Sequence, residues 1–317
     1  AFTKIKFLIM IYSKRGNYMK IGIIGLGKMG FNLALNAIDH HWGIVGYDTS
    51  SEGRDNARKA GITTVDTLNE LLENLDSQKV VMLSTPAGMI TNNLIKELST
   101  KLNKGDIVID SGNSRYTDSL NNYKILKESG IGFLDCGTSG GMSGARNGAC
   151  FMIGGENEVY VQLESFFKDL AVEGGCLFTK APGSGHYLKM VHNGIEYGMM
   201  QAIGEGFDIL YASEFDYDFE AVSHVWNHGS VVRSWLMELA EEGFAADPKL
   251  EKIEGIIDAN GEAQWTIEEA LRLNVPATVI AHSLFVRSAS KIDNSFSNRV
   301  VATLRHGFGG HAVKTRK

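Results

Sequence analysis

The sequence predicts an α/β domain built on a mostly parallel, doubly wound sheet, followed by an all-α domain. Three observations carry this. From Lys20 to about Leu177, short β-rich apolar runs alternate with helix-length amphipathic segments, the pattern of successive βαβ units. After Ala181-Pro182-Gly183 the strand signals nearly vanish. With 317 residues, 44% of them hydrophobic, the chain exceeds one typical domain and can bury a large core.

The strands are expected at 21–24, 44–47, 80–83, 107–109, 132–134 and 151–153, with a helix running through 33–38. Stretches 187–211, 219–226 and 277–290 have the periodicity of helices. The change of pattern alone sets the domains at 19–180 and 181–317. Because Met19-Lys20-Ile21-Gly22 resembles a domain start, residues 1–18 are expected to be a non-native or upstream extension. Lys14-Arg15-Gly16 can be read as a purine-rich ribosome-binding sequence taken as codons.

Composition narrows the function classes. The net charge is -6 and no run of Lys and Arg forms a dense basic stripe, so no nucleic-acid partner is expected. The apolar run 7–12 is too short for a signal-peptide core or a bilayer span, so no membrane partner is expected either. Three cysteines, Cys136, Cys150 and Cys176, lack CxxC spacing and fit a reducing, cytoplasmic location. Nine histidines lack the HExxH pattern, and His40-His41 reads as an exposed helix end, so no metal is expected.

Gly25-Leu26-Gly27-Lys28-Met29-Gly30 is a GxGxxG directly after the first strand and at the opening of a helix. The first glycine permits a tight turn, the second lets backbone approach a pyrophosphate and the third lets the helix pack closely. Free amides at the helix N-terminus hold the anion. In so glycine-rich a chain, with 36 Gly, the motif could arise by chance, but strand, helix and acid are all in place. The first domain is therefore expected to be a Rossmann domain that binds a dinucleotide.

Asp48, at the end of the second strand, can accept hydrogen bonds from ribose hydroxyls and repel a 2'-phosphate, which favours NAD. The bland alternative is an Asp that caps the next helix. Arg54 and Arg58 are near enough in sequence to keep NADP as the lesser alternative. Thr85, Pro86 and Ala87, ahead of Gly88, should line the nicotinamide side of the crevice, although a plain turn would look the same.

In the stretch from Gly183 to Tyr197, helical geometry puts Lys189, Asn193, Glu196 and Tyr197 at i, i+4, i+7 and i+8 on one face. That face carries a base and an acid. A solvated charge pattern is the more common fate of such residues.

Here the sequence resembles the 6-phosphogluconate dehydrogenase family. Lys-Met-Val-His-Asn-Gly-Ile-Glu-Tyr (Lys189 to Tyr197) is that family's signature. It is joined by Asp110-Ser111-Gly112-Asn113-Ser114, Ser139-Gly140-Gly141, Gly144-Ala145-Arg146, Trp265-Thr266, Val275-Pro276, Arg287 and the spacing Arg305-x5-His311. The likeness covers 19–313 but lacks the larger helical domain of the long-form enzymes, so the chain resembles the short, NAD-preferring branch. There, pairing of subunits is expected to supply what the long branch builds within one chain.

The resemblance implies the roles. Lys189, neutral, would take the proton from the C3 hydroxyl of 6-phosphogluconate and afterwards hydrogen-bond the developing enolate oxygen. Glu196, protonated, would deliver a proton to C1 and release ribulose 5-phosphate. Asn113 would contact cofactor and substrate, while Ser139, Gly140, Gly141, His192 and Asn193 would orient the substrate. Tyr197, Arg287, Arg305 and His311 would hold its phosphate. Gln264 departs from the long form, which has a phosphate-binding lysine before Trp-Thr. The long form's tail reaches a neighbouring subunit, so a homodimer or homotetramer is expected, with the tail acting between chains or within one.

Two alternatives stand beside this. A non-decarboxylating β-hydroxyacid dehydrogenase would share the dinucleotide domain, the Ser-Gly-Gly segment and the lysine, but would need neither Glu196 nor two cationic groups near the C-terminus. A non-catalytic dinucleotide sensor would need none of the proton-transfer residues.

Overall fold

The computed structural model describes residues 19–309 and positions 312 and 314; the expectations placed on 1–18 and on His311 lie outside the described residues. The apolar runs form strands β1 (Lys20–Ile24), β2 (Gly43–Tyr47), β3 (Thr63–Thr64), β4 (Val80–Leu83), β5 (Ile107–Asp110), β6 (Gly132–Ser139), β7 (Ala149–Gly155) and β8 (Ala171–Phe178). They lie in one sheet in the order β3-β2-β1-β4-β5-β6-β7-β8. Every neighbouring pair is parallel except β6 and β7.

Between the strands run α1 (Lys28–Asp39), α2 (Ser51–Lys59), α3 (Leu68–Glu73), α4 (Met89–Lys101), α5 (Tyr116–Glu128), α6 (Gly141–Asn147) and α7 (Asn157–Leu170). Helices cover both faces of the sheet, so its central strands are apolar throughout rather than alternating. On β4, Val80 and Met82 join one core with Leu33, Ala34 and Ala37 of α1. Val81 and Leu83, pointing the other way, join a second core with Leu71, Leu72, Ile95 and Leu98. Each such buried Val, Leu, Ile or Met side chain stabilises the fold by about 1.5–3 kcal/mol relative to exposure.

Two strands were not legible as such. β3 is two threonines, and β8 carries Glu173, Gly174 and Gly175 and has no fully buried residue, so neither shows an apolar run.

Chain order places β2 and β3 on one side of β1 and β4 onward on the other. The carboxyl ends of β1 and β4 therefore form a topological switch point, where a ligand crevice is expected.

Beyond β8 the described elements are helical: α8 (Ser184–Tyr211), α9 (Phe219–Asn227), α10 (Trp235–Ala246), α11 (Glu262–Leu273), α12 (Thr278–Ser290) and α13 (Phe296–Gly309). Phe207, Phe219, Met237 and Phe244 form a core of their own in this part of the chain. The chain separates into two compact units between Met190 and Val191, inside α8. The first turns of α8 belong to the sheet unit because Gly185 lies flush on it: a Cβ there would stand 2.4 Å from the Met152 carbonyl oxygen.

Candidate active site

The glycine motif does what its three positions require. Gly25 has φ +93°, and a Cβ on it would come within 2.4 Å of the Ser84 carbonyl oxygen. A Cβ on Gly30 would stand 1.9 Å from the Gly25 carbonyl oxygen, so α1 can pack here only without a side chain. Gly27 has nothing within 4 Å of that position, which leaves its backbone open to an approaching pyrophosphate. Gly27 is also the N-cap of α1 and offers no side chain, and the first turn has no acidic residue, so the first amides remain available to an anion. Lys28 is exposed, whereas Leu26 is buried and Met29 packs, partly buried, against the core.

Asp48 accepts from Leu26 N at 2.7 Å through Oδ2 and from Ser50 N at 2.8 Å through Oδ1. It thereby fixes the glycine loop against the end of β2. The cap of α2 is Ser50, whose side chain accepts from Gly53 N, so the bland reading of Asp48 as that cap does not hold. Each Asp48 oxygen keeps a second lone pair for a ribose hydroxyl. Arg54 donates to the Asp48 carbonyl oxygen at 2.7 Å and to Asp66 Oδ1 at 3.0 Å, and Arg58 pairs with Asp55 at 2.7 Å.

At the ends of β4 and β5, the loops carrying Thr85-Pro86-Ala87 and Asn113 touch. A Cβ on Gly112 would meet the Thr85 carbonyl oxygen at 2.9 Å. Thr85 Oγ1 lies 2.8 Å from the buried Thr91 Oγ1, which donates to the Pro86 carbonyl oxygen. Asn113 is exposed at this edge, while Ser111 donates to the Leu83 carbonyl oxygen at 2.7 Å and anchors the turn. Gly140 and Gly141, after Ser139, have φ +108° and +60°, a turn that suits glycine and starts α6. Arg146 of the Gly-Ala-Arg segment pairs with Asp39 at 2.6 Å and ties α6 to α1.

Lys189 is 6% exposed. It fits because β6 carries Gly137, where a Cβ would come within 2.4 Å of Lys189 Cβ. Asp135, two residues earlier, is fully buried and accepts from Gly183 N at 2.6 Å and His186 N at 2.9 Å, which fastens the first turn of α8 to the sheet. Burial pushes the Asp135 carboxyl above the usual carboxylate range, against the lowering effect of His186 and the two N–H donors. His186 is buried too, with Nδ1 2.7 Å from Ser119 Oγ.

In the helical unit, Asn193 and Tyr197 are buried and His192 and Glu196 half-buried. Glu196 Oε2 lies 4.0 Å from His192 Nδ1. The Arg287 guanidinium stacks 3.3 Å from the centroid of the Tyr197 ring and donates to the Asp258 carbonyl oxygen at 3.1 Å. Arg305 stands exposed on α13 and is not part of that pair. Gln264, at the position of the long form's lysine, donates to Glu268 at 3.0 Å.

Sequence reading did not single out Asp135, Gly137 or His186. Only the glycine-rich setting of Gly183 and Gly185 hinted at the close sheet contact. Among the described residues, no group of three His, Cys, Asp or Glu is arranged to hold a metal, and no helix is long and apolar enough to cross a membrane.

Residues 20–180 match the family described as the NAD binding domain of 6-phosphogluconate dehydrogenase, and residues 185–309 match its C-terminal domain. YqeC of Bacillus subtilis (strain 168), provisionally named a 6-phosphogluconate dehydrogenase, is 49% identical over 298 residues, 94% of this chain and 100% of YqeC. The NAD(+)-dependent, decarboxylating 6-phosphogluconate dehydrogenase of Haloferax volcanii is 38% identical, covering 93% of this chain and 98% of that protein. Among solved structures, Plasmodium falciparum 6-phosphogluconate dehydrogenase superposes with a TM-score of 0.80 at 30% identity, over 94% of this chain and 67% of the longer one. The chain therefore belongs to the 6-phosphogluconate dehydrogenase family of oxidoreductases.

Proposed function

We propose that this chain catalyses the oxidative decarboxylation of 6-phospho-D-gluconate to D-ribulose 5-phosphate and CO2, with NAD preferred over NADP. The observation that carries this reading is Lys189, buried on α8 in helical register with Asn193, Glu196 and Tyr197. A non-decarboxylating hydroxyacid dehydrogenase would leave Glu196 without a task.

Bound NAD would supply the acceptor for a hydride leaving substrate C3. The residues present fit it: Gly27 leaves room for a pyrophosphate, the start of α1 supplies amides, and Asp48 keeps lone pairs for the ribose. Asp48 also opposes a 2'-phosphate, and Arg54 is already committed to Asp66 and backbone, which supports NAD over NADP.

Lys189, 6% exposed on α8, is the amine we assign to accept the C3 hydroxyl proton. Once protonated, it can hydrogen-bond the oxygen that gains charge as the carboxylate leaves as CO2. Glu196 then gives a proton to C1 of the enediol. Asn113, Ser139, Gly140, Gly141, His192 and Asn193 orient the substrate, and Tyr197, Arg287, Arg305 and His311 bind its phosphate.

The active form is a homodimer or homotetramer in the cytoplasm. Support comes from the apolar side chains the helical unit exposes, among them Ile195, Ile209, Trp235, Phe285 and Leu304, and from three free cysteines. Exposure of Arg305 is what a tail that completes a neighbour's site would need. Subunits carrying Lys189→Met and Arg305→Ala, refolded together, should regain activity if the site is shared between chains. No recovery despite confirmed hybrids would place the tail's action within one chain.

A further inference from the structure

Within the helical unit, one buried carboxylate joins several side-chain hydrogen bonds. Glu262, the first residue of α11, is 2% exposed. Its Oε2 accepts from Asn193 Nδ2 and, at 2.7 Å, from Asn260 Nδ2. Asn260 Oδ1 in turn accepts from the Tyr197 hydroxyl at 2.9 Å and from Glu262 N at 3.3 Å. The register of α11 on α8 is tight, since a Cβ on Gly194 would stand 2.8 Å from Thr266 Cγ2, and Thr266 Oγ1 donates to the Glu262 carbonyl oxygen at 2.9 Å.

An ionised carboxylate accepts only. Two amide N–H groups converging on Oε2 therefore fix which way Asn193 faces, with Nδ2 towards Glu262 and Oδ1 away from it. Asn193 Oδ1 lies 3.0 Å from His192 Nδ1. An amide oxygen also only accepts, so Nδ1 must carry the proton. Glu196 Oε2 stands 4.0 Å from Nδ1, beyond hydrogen-bond distance, so the Asn193 contact is the one that sets the proton. A neutral imidazole with hydrogen on Nδ1 has a lone pair on Nε2.

We propose that Glu262 is a positioning residue that, through Asn193, selects the Nδ1–H tautomer of His192, so that Nε2 accepts a hydrogen bond from a substrate hydroxyl. Were Asn193 reversed, its Nδ2 would face Nδ1, and Nε2 would carry the hydrogen and donate instead. The carboxylate thus selects a hydroxyl donor at this point of the substrate over an acceptor such as a carbonyl. This inference rests on the proposed reaction only for the identity of the substrate.

Protein labelled with 15N at histidine, with His192→Gln to assign the signal, reads the tautomer directly at about pH 8.5, where an ordinary histidine is neutral. The wild-type protein should show a protonated Nδ1 and an unprotonated Nε2 at His192. Glu262→Ala should lose that preference, and Glu262→Gln, whose amide oxygen can still take both N–H groups, should keep it. In turnover, Glu262→Ala should raise KM for 6-phosphogluconate about tenfold or more while KM for NAD stays within about twofold, with Glu262→Gln near wild type. An Nε2–H tautomer in the wild-type protein overturns the proposal, as does an unchanged tautomer in a folded Glu262→Ala variant or an equal rise in both KM values. An Nδ1–H tautomer that depends on Glu262, in a protein that does not turn over 6-phosphogluconate, would contradict the proposed function and leave this assignment standing.

Discussion

Asp135 in the sheet unit and Glu262 in the helical unit are both buried carboxylates bonded to residues of α8, but Asp135 accepts two backbone N–H groups and Glu262 accepts two side-chain amides. The first kind of bond fixes where a chain lies and is indifferent to the side chains it carries. The second fixes how particular side chains face. Around the dinucleotide crevice the same backbone logic recurs, in Asp48 on Leu26 N and in the glycines of the motif. Position is set by backbone in one unit, and polarity by side chains in the other.

The largest expected effect comes from Lys189, which lies in the sheet unit with Asp135. Lys189→Met should abolish hydride transfer, a loss of at least about 10²–10⁴-fold, the usual worth of a general base. Glu196→Gln should leave single-turnover NADH formation nearly intact and slow the later proton delivery. Equal loss of the hydride step in both variants would show that their roles do not separate.

Asp135→Ala should lower stability by about 2–4 kcal/mol in urea unfolding, because Gly183 N and His186 N lose their acceptor in a buried place. The effect should depend on pH. Burial raises the Asp135 carboxyl in the folded protein, so its contribution is full below the unfolded pKa of about 3.9 and falls as pH rises through the folded value. The stability gap between wild type and Asp135→Asn should therefore narrow from acid to neutral pH. A gap that widens would mean that the two N–H donors outweigh burial.

Two glycines sharpen the contrast further. Gly25→Ala, at φ +93° and against the Ser84 carbonyl oxygen, should impair folding itself, measured as a lowered Tm or insoluble protein. Gly27→Ala meets nothing within 4 Å and should keep the wild-type Tm while raising KM for NAD. A fall in Tm for Gly27→Ala would show that the open space is structural. The smallest change is expected for Asp48→Asn. It keeps one acceptor oxygen and should narrow the preference for NAD over NADP by about tenfold, or roughly 1.4 kcal/mol. A higher kcat/KM with NADP in the unmodified protein would contradict the reading of Asp48.

This division also explains what could be read from sequence. The crevice was legible because backbone-held sites need glycine at fixed offsets after a strand, and Gly25, Gly27 and Gly30 leave that mark. Lys189, Asn193, Glu196 and Tyr197 were legible as a face because a helix has one period. Glu262 was not, since its partner Asn193 lies 69 residues away and its burial depends on how α11 packs at Gly194. Asp135 was hidden for a similar reason: a carboxylate inside an apolar strand reads as an interruption until the N–H groups of Gly183 and His186 are seen to meet it. β8 escaped because its glycines and Glu173 break the apolar pattern that marks buried strands.

The most direct measurement is product analysis of the purified protein incubated with 6-phosphogluconate and NAD. The account predicts NADH, CO2 and ribulose 5-phosphate in equal amounts, at a rate unaffected by chelator and lost in Lys189→Met. NADH formed without CO2, or turnover confined to simple β-hydroxyacids, would contradict it.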